Sequence, residues 1–239
     1  MEIREYKTMY EVEDAHFWYK GMREIAKTLL DKHLPKNKQL NILDAGCGTG
    51  RNIIFLKNYG KVSGFDISPY AIKYCKRRKL VNIKFGSIDK IPYKNNCFDV
   101  VTCFDVLGQA EVKNINKSIK EFYRILKPGG TLLIRVAAYN SLIGYHDKAV
   151  HTKHRFDKSE LKKLLIKNKF KIIKATYANC FLFPLTVLKR LFLRTSRSDV
   201  NAINPLINII FQIPFIIENF LIKYFDLPFG LSLIMIVKK

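Results

Sequence analysis

Short apolar runs recur along the middle of the chain, and stretches with helical spacing separate them. The runs LNILDA, KVSGFDIS, NIKFGSI, FDVVTCFDV and TLLIRVAAY are typical of strands buried in a sheet. In RNIIFLKNYG, PYAIKYCKRRK and NINKSIKEFYRIL, apolar residues return every three or four positions, as on one face of a helix. Strands that alternate with helices predict an α/β protein with a parallel sheet and right-handed crossovers.

The two ends of the chain depart from this alternation. The pattern divides the sequence into four parts: an N-terminal helical cap (1–36), a core of strands and helices (37–178), a helical insertion (179–230) and a final core strand (231–239). Prolines interrupt the insertion repeatedly, which predicts several helices. The last two strands, KIIKATYA and LSLIMIVKK, are expected to pair at one edge of the sheet.

The chain carries a net charge of +22, from 42 Lys and Arg against 20 Asp and Glu. This excess indicates an anionic partner, such as nucleic acid, a phospholipid surface or a phosphorylated substrate. A Lys-rich genome is the alternative explanation. The five cysteines follow no paired spacing, and the charged N-terminus lacks the apolar stretch of a signal peptide. We therefore expect a reducing, cytoplasmic setting without a zinc site.

A glycine-rich turn follows the first strand, in LDAGCGTGRN. A dinucleotide site requires a third small residue three positions after the second glycine, but Arg51 stands there. Asp44 suits a ligand with an ammonium group. Asp66 ends the second strand, about 20 residues beyond the first glycine, where a carboxylate can accept from both ribose hydroxyls. An amino-acid end and a ribose without phosphate describe S-adenosylmethionine (SAM).

The segments LDAGCGTG, GFDIS, FDVVTCFDVL and LKPGGTLLI, in this order and spacing, resemble class I SAM-dependent methyltransferases of the ubiquinone and menaquinone biosynthesis type. The resemblance extends from about Ile42 to Val136. It implies a Rossmann-like, seven-stranded, mostly parallel sheet with an antiparallel last strand. It also implies SAM as cofactor and S-adenosylhomocysteine as product.

The same resemblance assigns the cofactor-binding residues: Asp44, Gly46 and Gly48 at the methionine end, Asp66 at the ribose, Ile67, Ser87 and Ile88 around the adenine, and Phe104 and Asp105 at the mouth. The family usually has an Asp where this chain has Ser87, so either Ser87 or Asp89 is expected to bind the adenine amino group. Many relatives read LEH where this chain reads LGQ, at 107–109. A catalytic histidine of that motif therefore cannot be carried over.

A narrower resemblance concerns HFWYKGMREI, HDKAVHTKHRF and LPFGLSLIMIVKK, which are similar to segments of methyltransferases found beside glycan and polysaccharide genes. His146 and His151, in the loop after the fifth strand, are the candidate general bases, ahead of His154. The alternative is that these histidines only orient or pack the loop. Their spacing matches no strong metal template, so no metal is predicted. His16 and its aromatic neighbours are expected either to cover the cofactor or to pack a helix.

Residues 206–225 are almost wholly apolar, with a narrow polar stripe at Asn208, Gln212, Asn219 and Lys223. One interpretation is a cap that forms an apolar acceptor pocket. The other is a helix that dips into a bilayer at the cytoplasmic face, assisted by basic residues of the insertion: Lys189, Arg190, Arg194 and Arg197. Glu218 and two prolines argue against a membrane span.

Three functions remain open at this point. The first is O-methylation of a small or lipid-linked acceptor, such as a glycan or a prenylated ring. The second is methylation of nucleic acid, which the charge suggests, although FDVLGQ lacks the proline-containing tetrad that grips a flipped adenine. The third is SAM binding without catalysis. The oligomeric state is left open.

Overall fold

The computed structural model describes residues 1–36, 38–192 and 204–239, with only the backbone described for 189–192. Arg194 and Arg197 therefore lie outside the described residues, and the side chains of Lys189 and Arg190 are not described either. The strands are β1 (Leu40–Ala45), β2 (Gly60–Asp66), β3 (Ile83–Phe85), β4 (Phe98–Phe104), β5 (Leu126–Ala137), β6 (Lys171–Ala178) and β7 (Ser232–Lys238). The helices are α1 (Ile3–Val12), α2 (Phe17–His33), α3 (Arg51–Leu56), α4 (Pro69–Arg77), α5 (Ile115–Ile125), α6 (Tyr145–Ala149), α7 (Lys158–Lys167), α8 (Phe183–Phe192) and α9 (Pro205–Leu221).

The seven strands form one sheet in the order β3-β2-β1-β4-β5-β7-β6. Strands β1 to β5 run parallel, and β7 inserts antiparallel between β5 and β6. This arrangement confirms the predicted fold class. The strand order reverses between β1 and β4, and open α/β sheets bind ligands at such a switch point, beyond the carboxyl ends of the strands.

Both faces of the sheet are covered by helices. On β1, Ile42 belongs to one apolar cluster and Leu43 to the other, because successive side chains of a strand point to opposite faces. One cluster includes apolar residues of α2, α3 and α9, and the other includes those of α5 and α7. The sheet is thus buried on both sides, as its uninterrupted apolar runs predict.

Three elements differ from the sequence prediction. In the insertion, α9 continues through Pro214, where the sequence predicted an interruption. The N-terminal cap consists of α1 and α2, joined at Glu13–His16. The third strand is limited to Ile83–Phe85. Strand β5 begins at Leu126, before the KPGG segment expected to precede it, because buried Leu126 pairs with Phe98 and a register irregularity accommodates the segment.

Helix α9 is fixed to the rest of the protein along α2. Asn208 accepts a hydrogen bond from the Phe17 N–H over 2.7 Å and donates to the Ala15 carbonyl over 3.0 Å. A Cβ at Gly21 would lie 2.3 Å from the Phe215 ring, so the two helices approach closely. Among residues 1–36, 38–192 and 204–239, no helix combines the length and apolar character required to cross a bilayer.

Candidate active site

A cavity of about 480 Å³ lies beyond the carboxyl ends of β1, β2, β4 and β5. Most of the predicted site residues line it: Gly46, Gly48, Asp66, Ile67, Ser87, Ile88, Phe104, Asp105 and His146. Asp44 and His151 do not line it. The structure thus brings together residues that are distant in the sequence, as parallel strands ending at one edge require.

The glycine turn uses its backbone N–H groups within the protein. The N–H groups of Gly46 and Cys47 donate to the Phe65 carbonyl at 2.9 and 3.0 Å, and that of Gly50 donates to the Cys47 carbonyl at 3.0 Å. Gly46 has a φ of +76°, a left-handed value that favours glycine. A phosphate-binding turn presents such N–H groups to its ligand. These groups are already bonded, which favours a ligand without phosphate at this turn.

Asp66 ends β2 at the wall of the cavity. One carboxylate oxygen accepts from the Gly48 N–H and the other from the Ser68 N–H, each over 2.9 Å. Burial raises the pKa of Asp66, and the backbone hydrogen bonds oppose that shift. Each carboxylate oxygen offers a second acceptor position. Asp66 is therefore able to accept from two neighbouring hydroxyl groups in the cavity.

Asp44 lies beneath the glycine turn rather than in the cavity wall. Its Oδ1 accepts from the Thr102 hydroxyl over 2.8 Å, whereas its Oδ2 is buried without a hydrogen-bond partner among the described residues. Burial raises the pKa of Asp44 to about 7. A positive charge bound above the turn would favour the ionised form of this carboxyl group.

At the adenine end, the structure separates the two alternatives left open by the sequence. Ser87 lines the cavity. Asp89 is directed to the start of α5, where its oxygens accept from the Lys113 N–H over 2.8 Å and from the Ser118 hydroxyl over 2.6 Å. Ser87 is thus the better placed of the two to contact a ligand.

An ion pair in the cavity wall, between buried Arg135 and half-buried Asp105, was missed at the sequence level. The Arg135 guanidinium donates to Asp105 Oδ2 over 2.6 and 2.8 Å, and lies 4.9 Å from the centroid of the Phe104 ring and 5.3 Å from that of Trp18. One feature of the sequence could have indicated this pair: an arginine stands inside the apolar run TLLIRVAAY, near the end of its strand. A charge buried there requires a partner.

Helix α1 and the start of α2 cover the cavity. Glu13 joins the two helices to the glycine turn, since its carboxylate accepts from the Thr49 hydroxyl and forms an ion pair with Arg78 at 2.8 Å. His16 is the N-cap of α2: its Nδ1 accepts from the Trp18 N–H over 3.2 Å. His16 and Trp18 also line the cavity, so these residues both pack the helix and cover the site.

Comparisons with known proteins agree with this geometry. Residues 43–134 match the family described as a methyltransferase domain. An uncharacterized protein of Methanocaldococcus jannaschii is 33% identical over 154 residues, which cover 62% of this chain and 71% of that protein. The chain belongs to the class I SAM-dependent methyltransferases. A demethylmenaquinone methyltransferase of Chlorobaculum tepidum is 33% identical to this methyltransferase over 116 residues, or 47% of each chain.

The fold of this methyltransferase also occurs in a solved structure. A SAM-dependent methyltransferase from Thermotoga maritima matches it with a TM-score of 0.60 and 19% identity, covering 99% of this chain and 96% of that one. The chain spans only about half the length of the demethylmenaquinone methyltransferase that it matches. SAM is the cofactor of the family. The orphaned Asp44 oxygen and the acceptor capacity of Asp66 fit the ammonium and ribose of SAM.

The histidines of this methyltransferase's HDKAVHTKHRF segment occupy three different environments. His146 lines the cavity. His151 Nδ1 lies 2.6 Å from Glu111 Oε1, and His154 Nε2 lies 2.8 Å from Glu160 Oε1. Of the three candidate bases, His146 and His154 both line the cavity, whereas His151 does not.

Asp147 and Arg155 give the same loop its shape. Arg155 donates to Asp147 Oδ1 over 2.9 Å and to the Ala138 carbonyl over 3.1 Å, and both charged side chains are buried. Asp147 Oδ2 also accepts from the Gly144 N–H over 2.8 Å. The pair therefore fixes the turn on which His146 is carried.

Gly108 explains the departure from the LEH motif of many methyltransferases. The N–H groups of Lys153 and His154 both donate to the Gly108 carbonyl, at 2.9 and 3.0 Å. A Cβ at Gly108 would lie 2.1 Å from the His154 carbonyl oxygen. A glutamate at this position is incompatible with the loop as it lies here. The loop that carries the histidines thus occupies the space next to the fourth strand.

Proposed function

We propose that this methyltransferase transfers a methyl group to an oxygen atom of a small or lipid-linked acceptor, such as a glycan or a prenylated ring. One observation carries the proposal: a single cavity joins Asp66 and the glycine turn to His146 and to apolar residues of the helical insertion, Leu182, Leu185 and Phe211. One end suits the cofactor and the other an apolar acceptor. The relative from Chlorobaculum tepidum, named for a quinone substrate, supports this acceptor class.

SAM supplies an electrophilic methyl group on its sulfonium. The protein's part is to align the acceptor oxygen, exclude water and take a proton. In this proposal Asp66 binds the ribose, Ser87 and the flanking Ile67 and Ile88 contact the adenine, and Asp44 attracts the ammonium group from beneath the turn.

His146 accepts the proton of the acceptor hydroxyl in this scheme, since imidazole titrates near neutral pH and its side chain lines the cavity. His151 remains the second candidate. It would act through the loop that it shares with His146. The ion pair of Arg135 with Asp105 stabilises the cavity wall where Arg135 contacts the Trp18 ring. Helices α1 and α2 exclude water. A cytoplasmic location, at or near the membrane surface, completes the proposal.

The test is a turnover assay with SAM and three acceptor pools: prenylated phenols, glycans and total RNA. We expect turnover with one of the first two pools and loss of turnover in His146→Ala, with SAM affinity by calorimetry unchanged. Asp89→Asn, outside the cavity wall, is the control for general disturbance. Turnover confined to RNA, with binding that weakens steeply as salt increases, would instead support the nucleic-acid function.

The net charge of +22 is the observation that favours nucleic acid as a second candidate. FDVLGQ contains no proline and therefore no tetrad for a flipped adenine. SAM binding with no turnover in any pool would leave the third function, binding without catalysis.

A further inference from the structure

The outer face of helix α9 is apolar and exposed to solvent. Its large side chains are between 46% and 72% accessible: Leu206, Ile207, Ile209, Ile210, Ile213, Ile216, Ile217 and Phe220. Their spacing of three and four residues places them along one side of the helix. Exposed apolar patches of this extent mark interaction sites on proteins. We call these eight residues the outer face.

The inner side of α9 is fixed, so the outer face cannot turn into the protein. Asn208 bonds to the backbone of Ala15 and Phe17, at the start of α2. Phe215 packs against Gly21, and the buried carboxylate of Glu218 accepts from the Cys180 N–H over 3.1 Å. Of the polar stripe read from the sequence, Asn208 is thus used against the protein, and the wide apolar side points outward.

The composition of the outer face fits a bilayer better than a protein partner. Glu218 is the single charged residue of α9, and it is buried. Helix α2 next to it exposes Lys20, Glu24 and Lys27, as an ordinary surface helix does. A protein interface surrounds its apolar centre with polar groups that form hydrogen bonds. Side chains of the outer face offer no hydrogen-bonding group, and a hydrocarbon environment requires none.

Charge separates a bilayer from a second copy of the chain. Two copies that each carry +22 repel one another, whereas the same charge is attracted to anionic lipid. Just past the end of α9, the outer face is followed by exposed Lys223, Tyr224 and Phe225. Aromatic and basic residues in this position are typical of the boundary between hydrocarbon and headgroups.

We propose that the outer face of α9 inserts into the surface of an anionic phospholipid bilayer, with the helix parallel to the membrane plane. Helix α9 also contributes Phe211 to the cavity wall, and exposed Leu185 of α8 borders the same cavity. Docking would bring this apolar side of the cavity to the lipid surface. Delivery of a lipid-linked acceptor by this route rests on the proposed function, but membrane binding itself does not.

The experiment is flotation of the full chain with vesicles of phosphatidylcholine, with and without phosphatidylglycerol. We expect binding that requires phosphatidylglycerol and falls at least tenfold in Ile213→Glu. Ile166→Glu is the matched control, because Ile166 on α7 is 53% exposed and Ile213 is 52% exposed. The control should bind vesicles like the wild type. SAM affinity by calorimetry should be unchanged in both variants, which shows that they are folded.

Several results would overturn the proposal. These are no flotation of the wild type, equal loss in the Ile166→Glu control, or a stable dimer in light scattering that Ile213→Glu separates. The last result would show that the outer face of α9 is a dimer interface with a second copy of the chain. Flotation that persists in a protein without methyl transfer would contradict the proposed function and leave the membrane face intact. Turnover of a soluble acceptor without flotation would contradict the membrane proposal and leave the proposed function intact.

Discussion

The Gly48 N–H donates to Asp66 Oδ2 over 2.9 Å, so the turn after β1 and the end of β2 are joined by the carboxylate assigned to the ribose. This bond orients Asp66 toward the cavity before any ligand is present. The family resemblance assigned both residues to the cofactor site, and the structure adds that a hydrogen bond joins them.

Asp66→Ala is expected to weaken SAM binding by a hundredfold or more, since two hydrogen bonds to a charged group are each worth about 1.5–3 kcal/mol. Isothermal titration calorimetry measures the change. Asp89→Ala is the matched control, because Asp89 does not line the cavity. Unchanged affinity in Asp66→Ala would contradict the assignment of the ribose site.

Asp44 makes the stability of the ligand-free protein dependent on pH. Burial raises its pKa from 3.8 to about 7. Between these values the folded protein binds a proton that the unfolded chain has released, so this contribution is lost as pH rises. We expect Asp44→Asn to raise the free energy of unfolding by about 2 kcal/mol at about pH 8 and by less at about pH 5, because each pKa unit corresponds to about 1.4 kcal/mol.

Urea denaturation at the two pH values tests this expectation, with Asp89→Asn as the control. The Asp44→Asn variant should also bind SAM more weakly, since it lacks the negative charge beneath the turn. A pH dependence of stability that is identical in variant and wild type would contradict the unusual ionisation of Asp44.

His146→Ala is expected to slow turnover by about 10²–10⁴-fold, the usual contribution of a general base, without weakening SAM binding. His151→Ala should have a smaller effect, because the His151 ring is held by Glu111 outside the cavity wall. Single-turnover kinetics with each variant measures the chemical step. If both variants keep the full rate, the base is a different group or none is required.

Gly108→Ala is expected to destabilise the protein by about 3 kcal/mol or more, because overpacking of this kind usually costs 1–3 kcal/mol and backbone is the obstacle here. Turnover should fall as the histidine loop is displaced. Gly144→Ala in the same region is the control, since the nearest atom to a Cβ there is 4.0 Å away. Equal stability of the two variants, measured by thermal unfolding, would contradict the close approach of this loop.

The glycine turn and Asp66 could be predicted because their geometry depends on a strand, a turn and a second strand that are close in sequence. The ion pair of Arg135 with Asp105 could not be predicted, since the two residues are 30 positions apart and only the pairing of β4 with β5 brings them together. Asp105 alone was assigned to the mouth of the site. The choice between Ser87 and Asp89 depended on where α5 begins, which the periodicity does not fix to one residue.

Helix α9 shows a different limit of prediction. The sequence pattern indicated a narrow polar stripe, but such a stripe on an apolar helix does not reveal which side faces the protein. Asn208 resolves this point only through its bonds to the start of α2, almost two hundred residues earlier. Residues 193–203 lie outside the described residues, so the role of Arg194 and Arg197 stays an expectation from the sequence.

The internal hydrogen bonds of the glycine turn have a consequence for the cell as well as for the ligand. ATP and NAD both depend on free backbone N–H groups for tight binding to such turns. Gly46, Cys47 and Gly50 have none to offer. Methyl transfer by this protein should therefore not respond to the concentrations of ATP and NAD.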